Sequence, residues 1–116
     1  MNLVIREYVD EEGVSPFGRW FGKLDPVAAA RIATALYRLE NGNTSNVKDL
    51  GGGISEYKIH FGPGYRIYFG MDSQTLVVLL AGGTKKRQNR DVETARIHWR
   101  RYLQLKAQEE DHGPDS

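Results

Sequence analysis

Apolar positions in this chain recur with two periods, and the changes of period divide it into elements. Leu3 to Val9 carries apolar residues on both sides of a period-two pattern, as an inner or half-covered strand does. Asp10-Glu11-Glu12-Gly13 is a turn. Ser15-Pro16 reads as an N-cap with proline at the first helical position, and Phe17, Trp20, Phe21 and Leu24 then follow helical spacing. Asp25-Pro26 repeats the signal, opening a helix with Ala29, Ile32, Ala33, Leu36 and Leu39 along one stripe and Gly42 at its end. With so short a connection the two helices form a hairpin. Residues 41–53 are turn-rich and end in Gly51-Gly52-Gly53, which lacks the Gly-Lys-Ser/Thr of a nucleotide loop.

From Ile54 the period returns to two, on both sides of Gly62-Pro63-Gly64, which predicts a β-hairpin. A three-residue loop makes Phe61 and Tyr65 the closing pair, sets Ile59 opposite Ile67 and Tyr57 opposite Phe69, and directs these residues to the core. The same register sets His60 across from Arg66 and Lys58 across from Tyr68, leaving Glu56, Lys58, His60 and Arg66 on an open polar face. Leu76 to Ala81 is a continuous apolar run, expected as a central strand. If strands alternate in direction, the first pairs antiparallel with this last one. The expected fold is α+β, with an antiparallel sheet in the order 1-4-3-2 and the helical hairpin on one face. Gly82-Gly83-Thr84 lets the chain leave the sheet, and Lys85 to Arg90 is a basic loop. Asp91 can then cap a last helix with a stripe of Val92, Ala95, Trp99, Tyr102 and Leu103. Residues 1–108 are read as one domain and 109–116 as an acidic, disordered tail.

Composition changes this picture at one point. The formal charge is only +1, but residues 57–106 hold ten lysines and arginines against Asp72, Asp91 and Glu93. That asymmetry is what a polyanionic partner requires, although a solvated helix face produces it too. Without cysteine, disulfides and thiolate metal sites are excluded. No apolar run reaches the length of a membrane span and the start has no secretory pattern, so a cytoplasmic protein without membrane partners is expected.

Candidate chemistry narrows by residue type. His60, His98 and His112 fall in no metal-binding motif, and no serine sits in a nucleophile elbow, so neither metal nor cofactor is expected. What remains is phosphate chemistry without a metal. Cleaving RNA takes a base for the 2′-OH, a cation for the charge on the phosphoryl oxygens and an acid for the leaving 5′-oxygen. Lys58 or His60 can serve as base, and Arg66 can clamp the phosphate with its planar fork. An ion pair of Glu56 with Lys58 or Arg66 is the purely structural alternative.

Several stretches together carry a resemblance: Tyr8-Val9-Asp10-Glu11-Glu12-Gly13, Ser15-Pro16-Phe17, Arg38-Leu39-Glu40-Asn41-Gly42-Asn43, Phe61-Gly62-Pro63-Gly64-Tyr65-Arg66-Ile67-Tyr68-Phe69, and Leu79-Leu80-x-Gly82-Gly83-x-Lys85-x-x-Gln88. Over residues 3–105 the chain resembles the RelE/ParE superfamily of toxins, in its HigB-like branch of phage-related addiction-module killer proteins. The resemblance implies a RelE-like fold and a toxin that cleaves messenger RNA on the ribosome. It also implies a cognate antitoxin with a helix-turn-helix DNA-binding domain, through which alone the toxin meets operator DNA. Lys58, His60, Arg66 and Lys86 match the basic positions of the RelE-like active surface, the last with slippage to Lys85 or Arg87. By that analogy Lys58 or His60 is the base, Arg66 stabilises the phosphate, and Lys86 is an acid or charge stabiliser. Lys85, Arg87 and Arg90 would bind RNA. Where RelE has a base-stacking aromatic this chain has Asp91 and Val92, which leaves Tyr68 as the stacking candidate. Glu56 and Asp91 stay open, a carboxylate in this region being functional in HigB toxins and a helix cap being the plain reading of Asp91. A ParE-like gyrase inhibitor, which needs no such basic face, is the alternative.

Overall fold

A computed structural model describes residues 2–111. Its elements, in chain order, are β1 (Val4–Glu7), α1 (Pro16–Gly22), α2 (Pro26–Glu40), β2 (Val47–Gly51), β3 (Ile54–Ile59), β4 (Tyr65–Met71), β5 (Leu76–Thr84), one 3-10 turn (Lys85–Arg87) and α3 (Gln88–Asp111). The class is α+β, as expected. Both caps before α1 and α2 form, Ser15 Oγ accepting from Gly18 N and Asp25 Oδ1 from Ala28 N, each at 2.9 Å. α2 ends in a Schellman closure, with Gly42 N donating to Leu39 O and Asn43 N to Arg38 O, for which Gly42 takes φ of 86°. Its buried stripe is Ala28, Ile32, Ala35 and Leu39, so Ala33 faces outward, contrary to the expected stripe.

The sheet has five strands in the order β1-β5-β4-β3-β2, and β1 runs parallel to β5. The expected order and the expected antiparallel pairing therefore both need correction, and one omission accounts for both. Val47–Gly51, expected as loop, is an edge strand antiparallel to β3 with a bulge between Asp49 and Gly51. Adding one reversal of chain direction between β1 and β5 turns their relation from antiparallel to parallel. β1 lies at the other edge, where the order 1-4-3-2 also puts it, with Val4 half exposed.

The sheet is covered on both faces. On one, α1 and α2 pack Phe17, Ile32, Ala35 and Leu39 against Tyr57, Ile67, Phe69, Val77 and Leu79. On the other, Ala95 and Trp99 of α3 pack against Ile54, Tyr68, Val78, Leu80 and Ala81, with Val92, Tyr102 and Leu105 around them. Leu103, expected in this stripe, is 43% exposed. α3 is pinned at its middle and toward its C-terminal end. Arg96 donates from Nη1 to Gly51 O (2.8 Å) and from Nη2 to Leu50 O (2.9 Å), and Tyr102 and Lys106 both bond the Asp72 carboxylate. The helix continues to Asp111, three residues into the stretch expected as tail, and the rest of that stretch lies outside the described residues.

Gly82 and Gly83 do not release the chain but are part of β5. A Cβ at Gly82 would lie 2.2 Å from the Trp20 ring, and one at Gly83 would lie 1.8 Å from Asp91 Oδ2. The glycine pair lets a helix side chain rest directly on each face of the strand.

Half-buried on α3, His98 stacks on Tyr8 at 5.1 Å between centroids. Burial pushes its imidazole below the ordinary 6.5, with Asp10 pulling weakly the other way. The unfolded chain then takes this proton more readily than the folded one, so His98 subtracts stability as pH falls below about 6.5. The melting temperature is expected to decline between pH 7 and 5, and His98→Gln is expected to flatten that part of the profile in thermal melts.

Candidate active site

The observed register of the β3–β4 hairpin places the candidate residues. Ile59 pairs with Tyr65, Lys58 with Arg66, Tyr57 with Ile67 and Glu56 with Tyr68. Each pairing is shifted by two from the expected one, so the two faces keep their residues while the cross-strand partners change. The loop is longer than three residues because Phe61 N turns back to Ile59 O and Gly64 N to Phe61 O, which takes His60 and Phe61 out of the ladder. His60 is therefore not opposite Arg66.

Across the sheet Arg66 pairs onward with Gly83, and Tyr68 with Ala81. Two adjacent rows result on the face under the start of α3: Lys58, Arg66, Gly83 and, one pleat along, Glu56, Tyr68, Ala81. Glu56 and Arg66 are diagonal neighbours, close enough for long side chains to meet. Arg66 Nε donates to Glu56 Oε1 at 3.0 Å, and Gln88 Nε2, from the first residue of α3, donates to Glu56 Oε2 at 3.1 Å. Glu56 is 0% exposed and Arg66 7%.

The expected open polar face is thus closed. α3 lies over it because Tyr68 and Ile54 on the same face, with Val78 and Leu80 beside them, offer an apolar surface to Ala95 and Trp99. Tyr68, expected to stack on a base, is wholly buried and presents no ring face to solvent. Its burial, with the charges of Glu56 and Asp91 adding and Arg66 opposing, pushes the phenol far above its ordinary 10.0, so it stays a neutral O–H donor. Asp91 lies within the first turn of α3 and is not its N-cap, its carboxylate resting on Gly83. Burial pushes that carboxyl above the ordinary 3.8, against the pull of Arg87 and Arg90. The Tyr68 hydroxyl and Asp91 Oδ2 are both buried with no hydrogen-bond partner among the described residues.

Around the mouth of this cluster the cations collect. Lys85, Lys86 and Arg87 form one exposed 3-10 turn held against the hairpin loop by Lys85 N donating to Gly64 O at 2.7 Å. With Gln88, Asn89 and Arg90 they line an open cleft of about 380 Å³. Arg66 hydrogen-bonds through Nε alone, and its terminal nitrogens are not among the buried unpartnered atoms, so they reach solvent. Lys58 is half-buried beside it in the same row, whereas His60 is exposed in a groove toward α2. The fold thus brings together Lys58, Arg66, Glu56, Tyr68 and Asp91, with Lys85–Arg87 at the rim, and sets His60 apart. No role follows for Gln88 from the sequence, although the Lys85-x-x-Gln88 spacing places it one turn after Lys85.

Residues 19–102 match the family described as Phage derived protein Gp49-like. The chain belongs to that family. It lies within the RelE/ParE-like toxins, a superfamily whose members generally pair with antitoxins. An uncharacterized protein of Haemophilus influenzae is 38% identical over 82 residues, covering 70% of this chain and 83% of that one. The free-state structure of a mutant of the E. coli toxin RelE superposes with a TM-score of 0.57 at 15% identity, covering 80% of this chain and 97% of that one, and so shares the fold. Among the described residues of this Gp49-like protein no helix is long and apolar enough to cross a membrane.

Proposed function

We propose that this Gp49-like protein is a HigB-like toxin of a toxin–antitoxin module and cleaves messenger RNA, in the cytoplasm, on translating ribosomes. The observation that carries the reading is Arg66, whose guanidinium is fixed by a buried carboxylate through Nε while its terminal nitrogens reach solvent. A fixed cation of this kind, flanked by Lys58 and the Lys85–Arg87 turn, meets the need of a transition state that gathers charge on phosphoryl oxygens. Lys58, entering the step as its neutral amine, takes the proton of the 2′-OH and becomes the ammonium, being next to Arg66 in the same row, and His60 is the remoter candidate. The 2′-oxygen attacks phosphorus, the bond to the 5′-oxygen breaks, and that oxygen leaves with a proton from Lys86 or its neighbours, giving a 2′,3′-cyclic phosphate. The partners are the ribosome with its message, and an antitoxin with a helix-turn-helix domain that also links the complex to operator DNA. Induction followed by primer extension on a translated message is expected to show codon-positioned 5′ ends. Changed plasmid supercoiling with intact message would instead place the protein with the gyrase-directed toxins and overturn the reading.

A further inference from the structure

Arg31 and Arg38, seven residues and thus two turns apart on α2, line a groove whose other wall is Lys58, His60 and Phe61. The groove measures about 210 Å³ and has no carboxylate among its lining residues. Arg31, Arg38 and Lys58 make no ion pair among the described residues. Cations gathered without a counter-charge favour an anion between them. The second feature is an aromatic platform. The Arg31 guanidinium lies 4.5 Å from the centroid of the Phe61 ring, and Phe61 has left the β-ladder to reach this position. Guanidinium planes and aromatic rings are what proteins use to stack single-stranded bases. Lys58 borders this groove, and its cross-strand partner is Arg66, so β3 alone separates the groove on the α2 side from the Arg66 row on the α3 side.

We propose that the groove is a nucleotide subsite for single-stranded RNA. The base of a nucleotide flanking the cleaved bond stacks on the Arg31–Phe61 pair, and its phosphate sits between Arg38 and His60. The inference rests on the reading of the protein as RNA-cleaving, and it moves the base platform from buried Tyr68 to the hairpin loop. RNA fits the groove better than an acidic peptide, which would need the cations and not the platform.

The test uses the whole chain and a fluorescently labelled, uncleavable 2′-O-methyl oligoribonucleotide, with an abasic oligonucleotide of equal charge beside it. Phe61→Leu and Arg31→Lys are expected to weaken the first by about tenfold and the abasic one hardly at all, since base stacking carries roughly that much affinity. Arg38→Ala is expected to weaken both and to reduce the slope of affinity against salt by about one. These side chains are at the surface or loop, and circular dichroism checks that each variant folds. Equal wild-type affinity for the intact and abasic oligonucleotides, unchanged binding in all three variants, or no binding at low salt would overturn the proposal. So would an acidic peptide bound with the same variant pattern. Primer extension on the unmodified message keeps the two readings separable. Base-dependent binding without cleavage leaves the subsite and removes the nuclease; cleavage with variant-insensitive binding does the reverse.

Discussion

Glu56→Ala is expected to destabilise the fold by about 3–5 kcal/mol, the usual cost of removing one member of a buried ion pair. Glu56 has no exposed surface and accepts from both Arg66 and Gln88, so its loss leaves the inward-facing Arg66 Nε without an acceptor and frees the start of α3 in one step. For a domain of this size the melting temperature should fall by about 15 °C. Glu56→Gln keeps an acceptor for Arg66 and should lose less. The double change Glu56→Met with Arg66→Met removes both charges and fills the same space, and should restore most of the stability, since paired buried charges are often replaceable by apolar side chains. Thermal melts of the four proteins decide it. A Glu56→Ala protein melting with the wild type would mean that the pair contributes nothing.

The restored double variant makes the activity prediction clean. It is expected to fold and yet cleave message about 10²–10³-fold more slowly than the wild type, the usual loss when one fixed donor to a developing oxyanion is removed. Arg66→Lys is expected to be nearly as poor. A lysine offers one ammonium where the arginine offers Nε to Glu56 and a separate pair of nitrogens to the phosphate. Glu56→Gln should retain the charge of Arg66 but loosen its position, slowing cleavage by about tenfold while leaving the melting temperature closer to the wild type. The measurement is the rate of appearance of cleaved ends after induction, normalised to folded protein. A folded Arg66→Lys or Met variant that cleaves at the wild-type rate would remove Arg66 from the chemistry.

The features that depart from the sequence expectation share a physical origin. Val47–Gly51, a short, bulged edge strand with Lys48 and Asp49 outward, has almost no period-two signal. Missing it reversed the pairing of β1. The Gly-Pro-Gly turn was legible, but backbone turns inside residues 59–64 lengthened the loop by two, and only they decide that Lys58, not His60, stands beside Arg66. Because the error was an even number of residues, Tyr57 and Ile67 still faced the core and Glu56 and Arg66 still shared the other face.

By itself the sequence determined the capped helical hairpin, the β-hairpin and its two faces, the apolar central strand and the cationic second half. Each is set by local chemistry: side chains that cap, glycines that turn, and alternation that sorts residues to opposite faces. Tertiary structure alone decided that α3 closes the charged face, that Arg66 and Gln88 both bond the Glu56 carboxylate, and that Arg31 reaches Phe61 across the groove. Those contacts join residues ten to thirty-two positions apart, or thirty in the last pair, through packing whose partners no local periodicity specifies.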